Sequence, residues 1–298
     1  MPRRVPRPPI PSPSPTHSLI SKIEGPFNPQ SSSPLFSTIP PEIRNKIFSF
    51  ALYSYDNKSR PYPDGTYFSR PGYRYHQGIS TALLEACKRI YTETHDLPIS
   101  QNEHVFWCSS SRGPPGRSFC DKPSGYFERF TVEQRAAVVQ VHLFTQLFWL
   151  EGSAFDNFCN IQDIHLRYLK ITVRHADWWH WESNKPLLLR HEWMDKLKLL
   201  LKLGTLDVEL ETMERDKDQM EAIVKNLFQR QIPVAYSRTL TTHGNPIFRE
   251  RYMGTSTYDN RIYYSSQSNR WTAGRPSHAP EDLPYVVSTI RWTAEALN

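Results

Sequence analysis

The stretch from Leu206 to Phe228 constrains the fold more than any other part of this chain. Leu206, Val208 and Leu210 alternate with Asp207, Glu209 and Glu211, the two-residue period of an extended strand whose faces differ. Met220, Ile223, Val224, Leu227 and Phe228 then follow at i, i+3, i+4, i+7 and i+8, the period of a helix over Lys217 to Arg230 with one apolar stripe. A strand passing directly into an amphipathic helix predicts a sheet covered by helices, with the three carboxylates on the solvent face. The same switching recurs on either side. Thr131-Val132-Glu133-Gln134 has capping-box spacing, Val138 to Phe144 and Ile164 to Val173 read as strands, and Leu187 to Leu203 reads as a Leu-rich helix. Strands near Val234 to Tyr236, Arg261 to Tyr264 and Tyr285 to Arg291 complete a mixed sheet. The middle strands recur every 25 to 40 residues or so, a spacing that also fits a degenerate leucine-rich array.

The first third of the chain is organised differently. Residues 1–35 are rich in Pro, Ser and Arg, with Pro6, Pro8, Pro9, Pro11, Pro13 and Pro15 close together. So little apolar area does not offset the entropy of ordering, and a disordered arm of polyproline II character is expected. Arg3 to Pro9 fits the RxxPxxP pattern read by aromatic grooves, a pattern common in such composition. At Pro40-Pro41-Glu42 a missing N–H costs nothing at a helix start, and an acid faces the helix dipole. The helix over 39–52 is expected to carry Ile43, Ile47, Phe48, Ala51 and Leu52 on one stripe, leaving Pro41, Glu42, Arg44 and Lys46 available to a partner. A Pro/Gly/Tyr/Arg loop from Tyr53 to Gly78 precedes a second amphipathic helix over 79–95, with Ile79, Leu83, Leu84, Cys87, Ile90 and Tyr91 on one side and Pro98 beyond its end. Val105-Phe106-Trp107 reads as a strand and Ser109 to Tyr126 as a loop. The whole predicts one α/β domain over 36–298, a helical pair followed by a mixed sheet with covering helices.

Net charge is +6, yet residues 1–60 hold eight Lys/Arg against three Asp/Glu. The remaining 28 basic and 27 acidic side chains nearly cancel, so the body lacks the global excess expected of a nucleic-acid binder. Cys87, Cys108, Cys120 and Cys159 form no CxxC pair, which argues against a zinc module or a dense disulfide framework and fits a reducing, cytoplasmic or nuclear setting. The most apolar long run, Val138 to Leu150, is broken by Gln140, His142, Thr145 and Gln146, short of the roughly 20 apolar residues of a membrane helix. No membrane association and no cofactor are expected.

Ile39-Pro40-Pro41-Glu42-Ile43-Arg44-Asn45-Lys46-Ile47-Phe48 resembles the LPxEIRxxIY opening of a fungal F-box-like family of largely uncharacterised proteins. Leu83 to Glu93 is similar to the LLxxCRxIYxE segment that follows in that family, and Asn102 to Trp107 to its NxFxF strand, with His104 in place of the first aromatic. The resemblance implies an F-box-like helical pair and a non-enzymatic adaptor role, with the first helices binding the adaptor subunit of a cullin ubiquitin ligase. Ile39 replaces the usual leucine, and the long loop between the helices departs from a compact F-box.

Among chemical candidates, His175, Asp177, His180 and Glu182 fall within eight residues and offer imidazole and carboxylate ligands. On an extended strand they divide between two faces, so they converge only if the chain turns. Trp178, Trp179 and Trp181 offer a stacking surface for a partner, with packing against the Leu187 segment as the competing reading. Tyr55, Tyr62, Tyr67, Phe68, Tyr73 and Tyr75 interleave with Arg60, Arg70 and Arg74, the composition of a nucleic-acid contact surface or of a loop closing over its own domain. No GxSxG, HExxH or Gly-rich phosphate loop is present, and no catalytic residue stands out.

Overall fold

The computed structural model describes residues 23, 26, 28–63, 65–108, 113–114, 123–258, 262–274 and 281–294. The RxxPxxP stretch, most of the expected arm and most of the Ser109 to Tyr126 loop lie outside the described residues. In chain order the strands are β1 (Tyr55–Pro61), β2 (Tyr75–Gly78), β3 (His104–Cys108), β4 (Gln140–Thr145), β5 (Tyr168–Val173), β6 (Thr205–Met213), β7 (Ile232–Pro233), β8 (Thr239–Thr241), β9 (Phe248–Thr255), β10 (Thr257–Tyr258), β11 (Ile262–Ser265), β12 (Arg270–Ala273) and β13 (Asp282–Ala294). The fold is mixed α/β. Strands β3, β4, β5 and β6 lie side by side and parallel, and β13 joins β6 antiparallel. Beyond β13, β9 pairs with Asp282 to Thr289, and β8 with Thr293 and Ala294. A hairpin of β1 and β2 and a meander of β10 to β12 stand outside this sheet.

Alternation along the strands assigns the two sheet faces. Val141, Leu143, Leu169, Ile171, Leu206, Val208, Leu210, Ile290 and Trp292 share one face and are all but fully buried. Against them pack Trp149, Phe155, Phe158, Leu197 and the stripe Met220, Val224 and Leu227 of the Lys217–Phe228 helix. Each such aliphatic side chain contributes about 1.5–3 kcal/mol by leaving water. The Thr131 capping box forms as its spacing predicts.

The other face of β6 overturns an expectation. Asp207, Glu209 and Glu211 are buried, at 3%, 9% and 4% exposure: Arg70 lies against Glu209 and Glu211, and Arg291 and Tyr168 close on Asp207. Four further differences have local causes. Leu187 to Leu203 forms no α-helix; Glu192–Leu199 is a 3₁₀-helix, and Met194, Leu197, Leu200 and Leu203 repeat every three residues, the 3₁₀ period. The second helix is broken: Ala82–Glu85 is 3₁₀, Cys87 is extended, and only Lys88–Thr94 is α-helical. Pro98 lies in the first turn of its own short helix, Leu97–Ser100, where its missing N–H is harmless. The strand expected at Val234 to Tyr236 is reduced to β7, since Tyr236 and Ser237 take left-handed φ values of 59° and 56° in a turn.

The Pro41–Ala51 helix forms with Pro at its start and Glu42 in its first turn. Its expected single stripe splits in two. Phe48 and Leu52 are buried, whereas Ile43 and Ile47 are 48% and 42% exposed, because steps of about 100° per residue rotate the two pairs onto different sides.

The 3₁₀ period makes a direct prediction. Leu197→Ala is expected to destabilise the fold by about 2–5 kcal/mol, whereas Leu199→Ala, at a 37% exposed site, should stay within about 0.5 kcal/mol. Urea unfolding of the two variants measures the difference.

Candidate functional site

Strand register lines up side chains in rows across the buried polar face. Val105, His142, Lys170, Asp207 and Arg291 are successive neighbours on β3, β4, β5, β6 and β13. The next row is Trp107, Phe144, Thr172, Glu209, Thr289 and, on β9, Phe248. A face so rich in charge is stable under cover only if each charge is paired.

The cover supplies the pairing through one turn. Arg70-Pro71-Gly72-Tyr73 closes with the Tyr73 N–H donating to the Arg70 carbonyl at 2.9 Å, and Gly72 takes φ +78°. Pro then Gly at the two central positions is the sequence of a type II turn, in which the second central residue needs a positive φ. Arg70 Nη1 meets Glu209 at 2.7 Å and Nη2 meets Glu211 at 3.0 Å. Lys170 also reaches Glu209, at 2.8 Å, while Arg291 grips Asp207 with two nitrogens at 2.7 and 2.6 Å. Burial alone would lower the Arg70 pKa, yet Glu211 and Glu209 raise it. Burial alone would raise the Glu209 carboxyl, but Arg70 and Lys170 hold it far below the usual carboxylate range.

Tyr73, from the same turn, joins a second chain of bonds. Thr172 donates its only proton to Glu209 at 3.1 Å, so at its 2.8 Å contact with His142 Nε2 the hydroxyl accepts and the imidazole donates. His142 Nδ1 is then the acceptor for the Tyr73 hydroxyl, 2.6 Å away. Complete burial pushes the His142 pKa down and keeps the ring neutral, as this tautomer requires.

Beside these groups opens a cavity of about 1080 Å³, with Lys170, Asp207, Glu209 and Arg291 as its floor and Glu103, Tyr73, Tyr168, Phe248, Glu250 and the Tyr53 to Asp56 stretch around it. It lies over the amino-terminal halves of β5 and β6. The carboxyl ends, where open α/β sheets ordinarily bind ligands, are closed by the buried Arg174–Asp177 pair at 2.8 Å and by Trp178 and Trp181.

The residues singled out from sequence fall in several places. His175 accepts from Trp271 Nε1 at 3.0 Å, and Asp177 pairs with Arg174, while His180 and Glu182 are exposed. The four do not converge, and among the described residues no group of three His, Cys, Asp or Glu is placed to hold a metal. Trp178 and Trp181 are buried, the first donating to the Glu211 carbonyl at 2.8 Å and the second packed against Trp271 and Tyr258. They are therefore not open to a partner; Trp179 is 37% exposed and donates to Glu151. Arg44 is also a correction: it lies inside, paired with Glu93 at 3.0 Å and over the Phe36 ring. Pro41, Glu42 and Lys46 are exposed as expected. Of the Tyr/Arg segment, Tyr62, Phe68 and Arg70 are buried, so it closes over its own sheet. Sequence reasoning missed the cavity, because the alternating acids of β6 read as a solvent face; the one local signal near it is Arg70-Pro71-Gly72-Tyr73, whose Pro-Gly pair has the composition of a tight turn. Comparison with family models, curated proteins and solved structures finds no match to this chain.

Arg70→Ala leaves Glu209 and Glu211 buried without that cation and is expected to cost about 3–5 kcal/mol at pH 7, read from urea midpoints. Glu209 titrates lower folded than its ordinary 4.5, so its contribution is full above that pH and is lost as pH falls. The gap between wild type and variant should accordingly narrow by pH 3 or so.

His175 gives a second pH dependence of the same sign. Burial, with Arg215 nearby, pulls its pKa from 6.5 down to about 3, so the unfolded chain takes up the proton first and stability declines as pH drops below 6.5. His175→Gln should flatten the slope of unfolding free energy between pH 6.5 and about 4; an unchanged slope would refute the assignment.

Proposed function

We propose that this protein is a non-enzymatic interaction module that docks a partner through the outer side of its Pro41–Ala51 helix. The observation that carries this reading is the exposure of Ile43, Ile47 and Phe50 at 48%, 42% and 82%. At i, i+4 and i+7 they form one apolar stripe, flanked by exposed Glu42 and Lys46, and a stripe of this kind is the anchor pattern of a helix laid into a groove. Such a stripe is costly to leave in water unless something covers it. The opposite side is fixed to the body by Phe48, Leu52 and the Arg44–Glu93 pair, so the stripe is presented on a rigid support.

The resemblance of Ile39 to Phe48 and Leu83 to Glu93 to the fungal F-box-like family supports a particular partner, the adaptor subunit of a cullin ubiquitin ligase. In that reading the sheet is the substrate-holding body. The consecutive parallel strands β3 to β6 support describing it as a degenerate leucine-rich array. The broken second helix leaves Pro41–Ala51 as the main contact.

Ile47→Asp with Phe50→Asp should leave the melting temperature within a few degrees, because both sites are solvent-facing. Purification of the tagged full chain from its own cells should recover the ligase adaptor with wild type and about tenfold less with the variant. Absence of the adaptor from the wild-type complex, or equal recovery with both chains, would overturn the proposal.

A further inference from the structure

We infer that the cavity over β5, β6 and β13 binds an organic cation, a primary ammonium or guanidinium group. Three features of its wall lead there. The first is charge. On the floor Asp207 is answered by Arg291, and Glu209 by Lys170 and Arg70. Around the wall, Glu103 and Glu250 have no Lys or Arg within ion-pairing distance among the described residues; beside Glu103 lie only neutral groups, the Tyr73 hydroxyl at 3.4 Å and the His142 ring at 3.6 Å. Asp56, Glu103, Asp207, Glu209 and Glu250 against Lys170 and Arg291 give the lining a formal charge of 2 − 5 = −3, in a chain whose net charge is +6. The negative lining is thus a local arrangement rather than a reflection of composition.

The second feature is the direction of the protons. The Tyr73 proton stays within the wall, directed at His142 Nδ1 at 2.6 Å with Glu103 as a longer acceptor at 3.4 Å, and Tyr168 donates to Asp207 at 2.7 Å. Each phenol has one proton, so both oxygens offer only lone pairs to the cavity. Together with Glu103 and Glu250 they make a wall of acceptors, complementary to a ligand group that has only N–H donors. An anion would meet Lys170 and Arg291 already bound to carboxylates.

The third is the mouth, where Tyr53 and Phe248 are 56% and 64% exposed. Aromatic faces at an acidic opening favour a cation through their quadrupoles. The volume of about 1080 Å³ suits a ligand larger than a metal ion, either a free polyamine or a Lys or Arg side chain with its flanking peptide. Ile43, Ile47 and Phe50 do not line the cavity, so this site is independent of the helix stripe.

Calorimetric titration of the full chain tests the assignment with two probes, spermidine and the capped peptide acetyl-Gly-Arg-Gly-amide, against acetyl-Gly-Gln-Gly-amide and acetyl-Gly-Glu-Gly-amide. Saturable binding of at least one cationic probe is expected, weakening as salt rises. The double variant Glu103→Gln, Glu250→Gln should bind it about tenfold or more weakly. Glu182→Gln, at an exposed acid that does not line the cavity, should bind as wild type does. Tighter binding of spermidine identifies a diffusible amine, and tighter binding of the arginine peptide identifies a side chain on a polypeptide. No saturable binding of either cation up to about 1 mM, equal binding of the neutral or acidic peptide, or unchanged affinity in the double variant would each overturn the inference. Both replaced carboxylates reach solvent, so melting temperature should confirm that the double variant is folded.

Discussion

Arg70 between Glu209 and Glu211 is the interaction on which the polar half of the molecule depends. Three carboxylates on alternate positions of β6 repel one another and resist burial, and a strand carrying them would ordinarily turn that side to water. A guanidinium from a distant turn offsets the repulsion, donating to Glu209 and forming an ion pair with Glu211. Once it is in place, the segment from Tyr62 to Tyr73 can lie on the sheet, and Tyr62 and Phe68 pack beside Trp107 and Phe144 as a second small apolar cluster. Burial and pairing are coupled here: neither the segment nor the acids have a stable place without the other.

The sheet thus has two interiors of different character. On one side parallel strands meet helices through aliphatic and aromatic side chains, and dispersion and water exclusion hold the layers. On the other, charge pairs and oriented hydrogen bonds hold the cover, and their geometry is directional. Because Thr172 must give its proton to Glu209, the orientation of His142 and then of Tyr73 follows, and the cavity inherits a wall of fixed polarity. The same pairing that stabilises the cover therefore decides what kind of ligand the space beside it can accept.

The outer helix stripe and the cavity draw on separate parts of the structure. The helix is held by Arg44 and Glu93 and by Phe48 beneath it, and its outward residues take no part in the core. Phe50 and Tyr53 nonetheless lie three residues apart, one on the stripe and one at the cavity mouth. A partner on the helix and a cation in the cavity would be neighbours along the chain while depending on different forces, apolar burial in one case and charge in the other.

Period and punctuation were legible without coordinates: the strand and helix at Leu206 to Phe228, the Pro-initiated helix at Pro41, the capping box at Thr131 and the mixed α/β class all follow from local preferences. The 3₁₀ form of Glu192–Leu199 was also written in the three-residue spacing of Met194, Leu197, Leu200 and Leu203, although a Leu-rich run suggests an α-helix at first reading. What the tertiary structure alone decided is which polar residues lie inside. Arg44, Arg70, Asp207, Glu209, Trp178 and Trp181 read as surface groups or contact residues because each looks soluble or sticky in isolation. Their burial depends on partners remote in sequence, Arg70 and Glu209 being 139 residues apart. A local pattern reports the cost of burying a charge, but only the assembled sheet brings up the opposite charge that offsets it.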